Sequence, residues 1–459
     1  MKIKRLAHWS HQAWGLAILL FVCLLLVTVA AACGGGEEEK PTGTATPAAT
    51  GSPGTPAATG SPEAQLCGPA ARQATISSGP PPGITDTEIL LGSESQISGT
   101  AGAVYATVPN ATKAYFDYIN DTQGGVCGRK IVYKIEDNFG EPARALEAAR
   151  RLVEQDKIFA FVGSLGDEAH PGSWDWINEQ GVPDLLVSAG AARFGADPCG
   201  HPWEVQMIPS YTIDAVFLGQ YISEYHPGKT VAVLWENDVI GQDGFAGVKQ
   251  TLDPSKNPIV ADQSYEYTAV SISSQMAALA KSNADVLVIN GNLGFTAQAI
   301  KGADRLGWHP QFVMPYITTD ELLFQFVPAK LLDGAVATDA NKLAGMKDDP
   351  AVAKHFEIMQ KYGGPAPTNF TIYAQILGEL AVEILNRSCD NLTREGVMEA
   401  VESIKNWHSD LALDGVNFSF SPTDHVAYQS SRYLTVTVDE NGKGKWGYFG
   451  PLRQFEGIQ

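Results

Sequence analysis

The chain has 459 residues, and its 32 Lys and Arg stand against 51 Asp and Glu, a formal net charge of −19. That balance excludes the basic face with which a nucleic-acid-binding protein meets phosphates, and it repels anionic partners. With 44% hydrophobic residues the composition is globular, and the chain is longer than one folding unit of about 100–200 residues needs.

Lys2, Lys4 and Arg5 open the chain, an apolar stretch runs from Trp14 to Ala32, and Cys33 follows. A basic start, an apolar run and small residues before a cleavage point read as a secretory signal. The run is also long enough for an uncleaved membrane anchor. Ala30-Ala31-Ala32-Cys33 resembles the lipobox of bacterial lipoproteins, with Ala30 in place of the usual Leu. The resemblance implies a signal peptide at 1–32, lipid on Cys33 and anchorage to the bacterial cell membrane. On either alternative the remaining chain is extracytoplasmic.

Cys23 leaves with the signal and Cys33 carries the lipid, so Cys67, Cys127, Cys199 and Cys389 remain. An even number in an oxidising compartment reads as two disulfides, with three connectivities open; buried free thiols are the alternative. No Cys or His spacing fits a metal site, and no cofactor is expected.

Residues 33–83 read as the lipidated Cys and a low-complexity tether. Thr46–Ala49 and Gly51–Pro53 recur as Thr55–Ala58 and Gly60–Pro62. Such a composition has no large apolar residues with which to bury a core. From Ile84 strands alternate with helices. Ile89–Gly92, Ile131–Ile135, Ile158–Val162, Leu185–Val187, Val231–Trp235, Val286–Ile289, Phe312–Met314 and Val336–Thr338 are short apolar runs. Helical patterns lie between them, one opening with Pro142, a residue suited to a first turn. Repeated βα units predict an α/β fold with doubly wound parallel sheets, and ten or so strands are too many for one compact core. Tyr373, Leu377, Leu380 and Ile384 mark a strong amphipathic helix. Tyr433–Val438 and Lys445–Phe449 flank Asn441-Gly442, which predicts a hairpin.

Catalytic patterns are absent: the sequence has no HExxH, GxSxG or GxxxxGK[ST], and no GxGxxG that leads from a strand into a helix. His170 near Asp167 and Glu168, and His425 near Asp424, read as solvated loop pairs.

The segment GGVCGRKIVYKIEDNFGEPARALEAARRLVEQDKIFAFVGSLG, from Gly124 to Gly166, follows TDTEILLGSESQISGTAG and AYFDYIN. It precedes WINEQGVPDLLVSAGAARFG, PSYTIDA and VAVLWENDVIGQDGFAGVK. In this order and spacing the chain resembles the branched-chain-amino-acid-type solute-binding proteins of ABC importers, over about residues 84–459. The resemblance implies a type I periplasmic binding protein: two Rossmann-like lobes of the Venus flytrap kind, joined by three hinge crossovers, with the ligand between them. Lobe one is then 84–208 with 337–425, and lobe two is 209–336 with 426–459.

Ligands of open α/β sheets bind beyond the carboxyl ends of strands, and the candidate residues lie there. In lobe one they are Ser98 (or a turn Ser), Tyr105 (an aromatic wall by resemblance, or a core Tyr), Asp167, Ser188 and Gly190. Tyr211 sits at a crossover. In lobe two they are Asn292, where relatives often carry an aromatic, and Tyr316, where some amino-acid binders place a Glu. Asp167 stands where relatives carry a hydroxyl that holds the ligand carboxylate; its alternative is a helix N-cap. Like charges repel, so Asp167 disfavours a carboxylate ligand. Ile240 replaces a Tyr common in relatives, and Asp320 and Glu321 read as caps. The expected function is capture of a small polar solute, amino-acid-like, amide or related, for an importer permease, without catalysis. The alternatives are a ligand-sensing subunit of a membrane receptor and an extracellular hydrolase.

Overall fold

The computed structural model describes residues 66–72, 81–99 and 102–455. The signal, Cys33 and most of the tether lie outside them. No helix among the described residues is long and apolar enough to cross a membrane.

Two sheets organise the chain. The first is wholly parallel, in the order β2-β1-β3-β4-β5. Its strands are β1 (Glu88–Ser95), β2 (Lys130–Asp137), β3 (Ala160–Val162), β4 (Asp184–Val187) and β5 (Glu204–Gln206). The second continues the chain with β6 (Val231–Glu236), β7 (Ile259–Tyr265), β8 (Val286–Asn290), β9 (Gln311–Val313) and β10 (Val336–Asp339). The chain returns to this sheet with β11 (Ser430–Val438), β12 (Gly444–Tyr448) and β13 (Arg453–Gln454). Its order is β12-β11-β10-β9-β8-β6-β7, with β13 paired to β11. Strands β6 to β10 run parallel to one another, β11 runs antiparallel to β10, and β11 and β12 form an antiparallel hairpin.

The apolar runs predict the central strands because helices cover both faces of a parallel sheet. Every residue of β3, β4 and β8 is buried. Around the first sheet, Ile89, Leu91 and Phe116 pack with Leu377, Leu380 and Ile384 of the helix Asn369–Arg387. Around the second, Leu234, Leu287 and Ile289 pack with Ile300, Leu323 and Leu434. The structure is thus two α/β bodies, each with its own core.

The chain passes between them three times, after Gln206, after Asp339 and before Ser430. Gln206 bridges Val426, and Asp339 pairs with Arg432, which brings the three passages side by side. The second passage falls at Ala340 rather than 337, because all of β10 is paired in the second sheet. The third follows Tyr428, since Ala427 and Tyr428 are packed in the first core.

The end of the expected tether is not free. Residues 66–72 include a short helix, Pro69–Arg72. The buried Arg72 guanidinium donates to both oxygens of Glu402, at 2.6 and 3.2 Å, and lies over the Trp203 ring. Cys67 is bonded to Cys199, and Cys127 to Cys389, across 132 and 262 residues of chain. Both bridges lie in the first body.

Non-reducing peptide mapping should join Cys67 to Cys199 and Cys127 to Cys389. Replacing Cys127 and Cys389 together by Ser should cost about 2–4 kcal/mol of stability by chemical denaturation, as expected when a long closed loop is released.

Candidate functional site

The strand ends of the first sheet turn through glycines. Gly163 and Gly166 have φ of 70° and 135°. The chain leaving β3 thereby reverses sharply and presents Asp167 to the gap between the bodies. The Asp167 carboxylate accepts from Gly190 N (2.7 Å), Ala191 N (3.1 Å) and the Tyr211 hydroxyl (2.6 Å). One side chain therefore ties the loops after β3 and β4 to the helix Tyr211–Tyr225 of the second body. Its expected role as a helix N-cap is not what is found: it caps backbone amides of a different loop.

Gly190 has no room for a side chain. A Cβ there would stand 2.6 Å from Tyr211 Cζ and 2.8 Å from the Tyr316 hydroxyl. Tyr316 stacks on Tyr211 with ring centroids 6.1 Å apart, and donates to Pro209 O at 3.0 Å. Ser188 at the end of β4 shares a 2.6 Å hydrogen bond with the Tyr373 hydroxyl.

These groups surround a cavity of about 90 Å³, measured as the space open to the centre of a water molecule. Tyr105, Asp167 and Ser188 line it from the first body, and Tyr211 and Tyr316 from the second. Its floor is the crossovers themselves, through Ile208, Pro209, Ala340, Asn341, Tyr428 and Ser431. Gly190 adjoins it. Ser98 does not line it; its hydroxyl donates to Asp137 Oδ2 at 2.5 Å in the loop after β1. Asn292 does not line it either. Its Oδ1 caps the helix Leu293–Arg305 through Gly294 N and Phe295 N, and its Nδ2 donates to Glu236 Oε2.

Several lining residues were not expected from the sequence. Phe370 and Tyr373 belong to the helix Asn369–Arg387, whose apolar stripe reads as core. Asp320 does act as a cap, accepting from Leu322 N and Phe370 N, yet it also faces the cavity. Asp339 accepts from Ala340 N, Asn341 N and the Thr319 hydroxyl at the second crossover. Only the Pro315-Tyr316 and Asp339-Ala340-Asn341 runs at strand ends could have pointed to this part of the lining.

Burial raises the carboxyls here. Asp167 is pushed up to about 6, with the Tyr211 hydroxyl and Gly190 amide pulling the other way. Asp339 rises to about 6, and Asp214, beneath Tyr316, to about 7. Asp238, after β6, reaches about 8 through burial and the neighbouring Glu236.

His170 corrects an expectation. It is fully buried, with Nδ1 2.7 Å from Glu94 Oε1 and Nε2 3.0 Å from Asp184 Oδ2. Burial alone would lower its pKa, but the Asp184 and Glu94 carboxylates hold it well above the usual value. His425 is likewise buried, its Nδ1 2.7 Å from Glu204 O. Among the described residues no group of His, Cys, Asp and Glu is placed to hold a metal ion.

Two α/β bodies, three adjacent crossovers and a cavity between strand ends are matched in known proteins. The sequence profile of the periplasmic binding proteins covers residues 88–443. The chain belongs to this family. Its two-lobed α/β fold is the type I form. An amino acid binding protein of Pseudomonas aeruginosa is 23% identical over 252 residues, which is 55% of this chain and 66%, just under two thirds, of that protein. Among solved structures, a branched-chain amino acid ABC transporter protein from Thermus thermophilus with bound valine has a TM-score of 0.71 at 19% identity, over 81% of this chain and 97% of that one. A fatty acid ABC transporter substrate-binding protein from Thermomonospora curvata has a TM-score of 0.69 at 21% identity, over 82% and 95%. One of these structures holds valine and the other is named for fatty acids, so fold alone does not set what this periplasmic binding protein holds.

The raised groups set a pH dependence. Asp214, Asp238 and His170 bind protons more tightly folded than unfolded. Their contribution is therefore present at lower pH and lost as pH rises through their folded values. His226 and His355, both lowered, oppose this only below the usual histidine range. The unliganded protein should melt at a lower temperature at about pH 8.5 than at about pH 6.5, measured by calorimetry in one buffer series.

Proposed function

We propose that this chain is the extracytoplasmic solute-binding lipoprotein of an ABC importer, held to the cell membrane through Cys33, and that it delivers a small polar solute to the permease. The observation that carries this is the cavity lined from both bodies and floored by the three passages. The bodies act as lobes, 84–208 with 337–425 and 209–336 with 426–459, with the ends adjusted to Ala340 and Tyr428 as described above. The relatives support the class, since the proteins named above bind valine in one case and belong to fatty acid transport in another.

A ligand that touches both lobes binds the closed arrangement better than the open one, and only that difference shifts the population. Moving from 1:99 to 99:1 closed needs about 5.5 kcal/mol, within reach of a few buried hydrogen bonds. Tyr105, Asp167 and Ser188 from one side, and Tyr211 and Tyr316 from the other, are the groups that make them. Away from the cavity, two bonds already cross the gap: Gln96 Nε2 to the Tyr267 hydroxyl at 3.3 Å, and Ala192 N to Asp243 Oδ2 at 2.7 Å.

Small-angle scattering during titration with a panel of amino acids, amides and amines should show the radius of gyration fall with the solute that binds. Asp243→Ala, which removes a cross-lobe bond without touching the cavity, should weaken that solute several-fold by favouring the open state. A solute bound tightly with no compaction would count against a closing receptor. For the anchor, wild-type protein from membranes should begin at Cys33 and carry diacylglycerol by mass spectrometry, whereas Cys33→Ala should remain an unprocessed precursor.

A further inference from the structure

The cavity has one sign of charge. Its ionisable acidic lining is Asp167, Asp320 and Asp339, and it includes no Lys, Arg or His. Six aromatic rings complete it: Tyr105, Tyr211, Tyr316, Phe370, Tyr373 and Tyr428. Tyrosine faces are electron-rich, and a cation within about 6 Å of a ring centre is drawn to them.

The backbone amides that could receive an anion are already occupied. Asp167 holds Gly190 N and Ala191 N at the end of β4. Asp320 holds Phe370 N in the first turn of the helix Asn369–Arg387. Asp339 holds Ala340 N and Asn341 N at the second crossover. Each pocket of N–H groups from which a strand end or helix start would grip a ligand carboxylate is filled by the protein's own carboxylate. An incoming anion would find these amides taken and three acidic neighbours.

A second acidic group lies across Tyr105 on the other body. Glu236 and Asp238 are buried as a neighbouring pair of carboxyls that hydrogen-bond to one another. The Tyr105 hydroxyl is held up by burial, and then by Asp167 on its own side and Glu236 on the other. Two adjacent buried carboxyls are costly to ionise together, and a nearby positive charge relieves that cost where a neutral group does so only in part.

We infer that the cavity takes an organic cation without a carboxylate, an amine or quaternary ammonium, seated on the tyrosine faces between Asp167 and the second body. This rests on the receptor reading above and names its substrate class. It sets the chain apart from a receptor for free amino acids, whose carboxylate has no place here.

Three compounds on one carbon skeleton test it: 3-methylbutylamine, leucine and 4-methylpentanoate are a cation, a zwitterion and an anion. Choline adds a quaternary ammonium. In calorimetric titration of the purified full chain at about pH 8, where the lining carboxyls at about 6 are ionised, at least one cation should bind about tenfold or more tighter than leucine, and the anion should not bind. Asp167→Asn should narrow that preference by about tenfold. Tyr105→Leu should weaken the cation while Tyr105→Phe retains it, which keeps the test open if Asp167→Asn fails to fold. Scattering from the same samples separates the two readings. Compaction by leucine or 4-methylpentanoate, with the cations no tighter, overturns the cation class and leaves the receptor standing. Cation binding without compaction supports the class and removes the closing receptor. Silence of both cations overturns the inference.

Discussion

The carboxylate of Asp167 is the knot of the central region. Its three hydrogen bonds join two strand-end loops of one body to the first residue of a helix in the other. A carboxylate in this position needs those donors, because burial without them would cost several kcal/mol. The donors in turn fix their surroundings. Gly190 must stay a glycine so that Tyr211 can reach in, and Tyr316 stacks on the ring so placed. The shape of the cavity wall follows from satisfying one acid.

Much of the fold was legible because parallel strands are buried on both faces and so leave plain apolar runs. The expected strands at Ile131–Ile135, Val231–Trp235 and Val286–Ile289 lie within observed strands one to three residues longer. Three strands left no such trace, one of them the two-residue Arg453–Gln454. Residues Ile259–Tyr265 form an edge strand whose outer residues are exposed, so polar positions interrupt the run. Glu204–Gln206 is three residues long, and its charged and polar side chains are buried in specific partners instead. The helix from Pro142 starts where its proline predicts, and it buries Ala145, Ala148 and Ala149, small residues that let it approach the sheet closely.

The site was legible only where it depends on strand ends. Tyr105, Asp167, Ser188, Tyr211 and Tyr316 come to one cavity, and they were the residues placed by strand-to-loop boundaries or by family spacing. Ser98 and Asn292 sit at equivalent boundaries and were drawn into local bonds with Asp137 and Glu236. Phe370 and Tyr373 were hidden because helical periodicity does not distinguish a ring facing a core from a ring facing a cavity. The Glu94–His170–Asp184 group was hidden for a different reason: its members are 76 and 14 residues apart in sequence and meet only when β1, β4 and the helix Pro171–Glu179 pack.

The docking of residues 66–72 has a mechanical meaning. A pull on the chain at Leu66 passes through the covalent bond from Cys67 to Cys199 and through the Arg72–Glu402 pair. The load path ends inside the first body, which Cys127–Cys389 braces a second time. None of it crosses Ile208, Ala340 or Tyr428. Tension that enters at Cys67 is thereby borne by the first body alone.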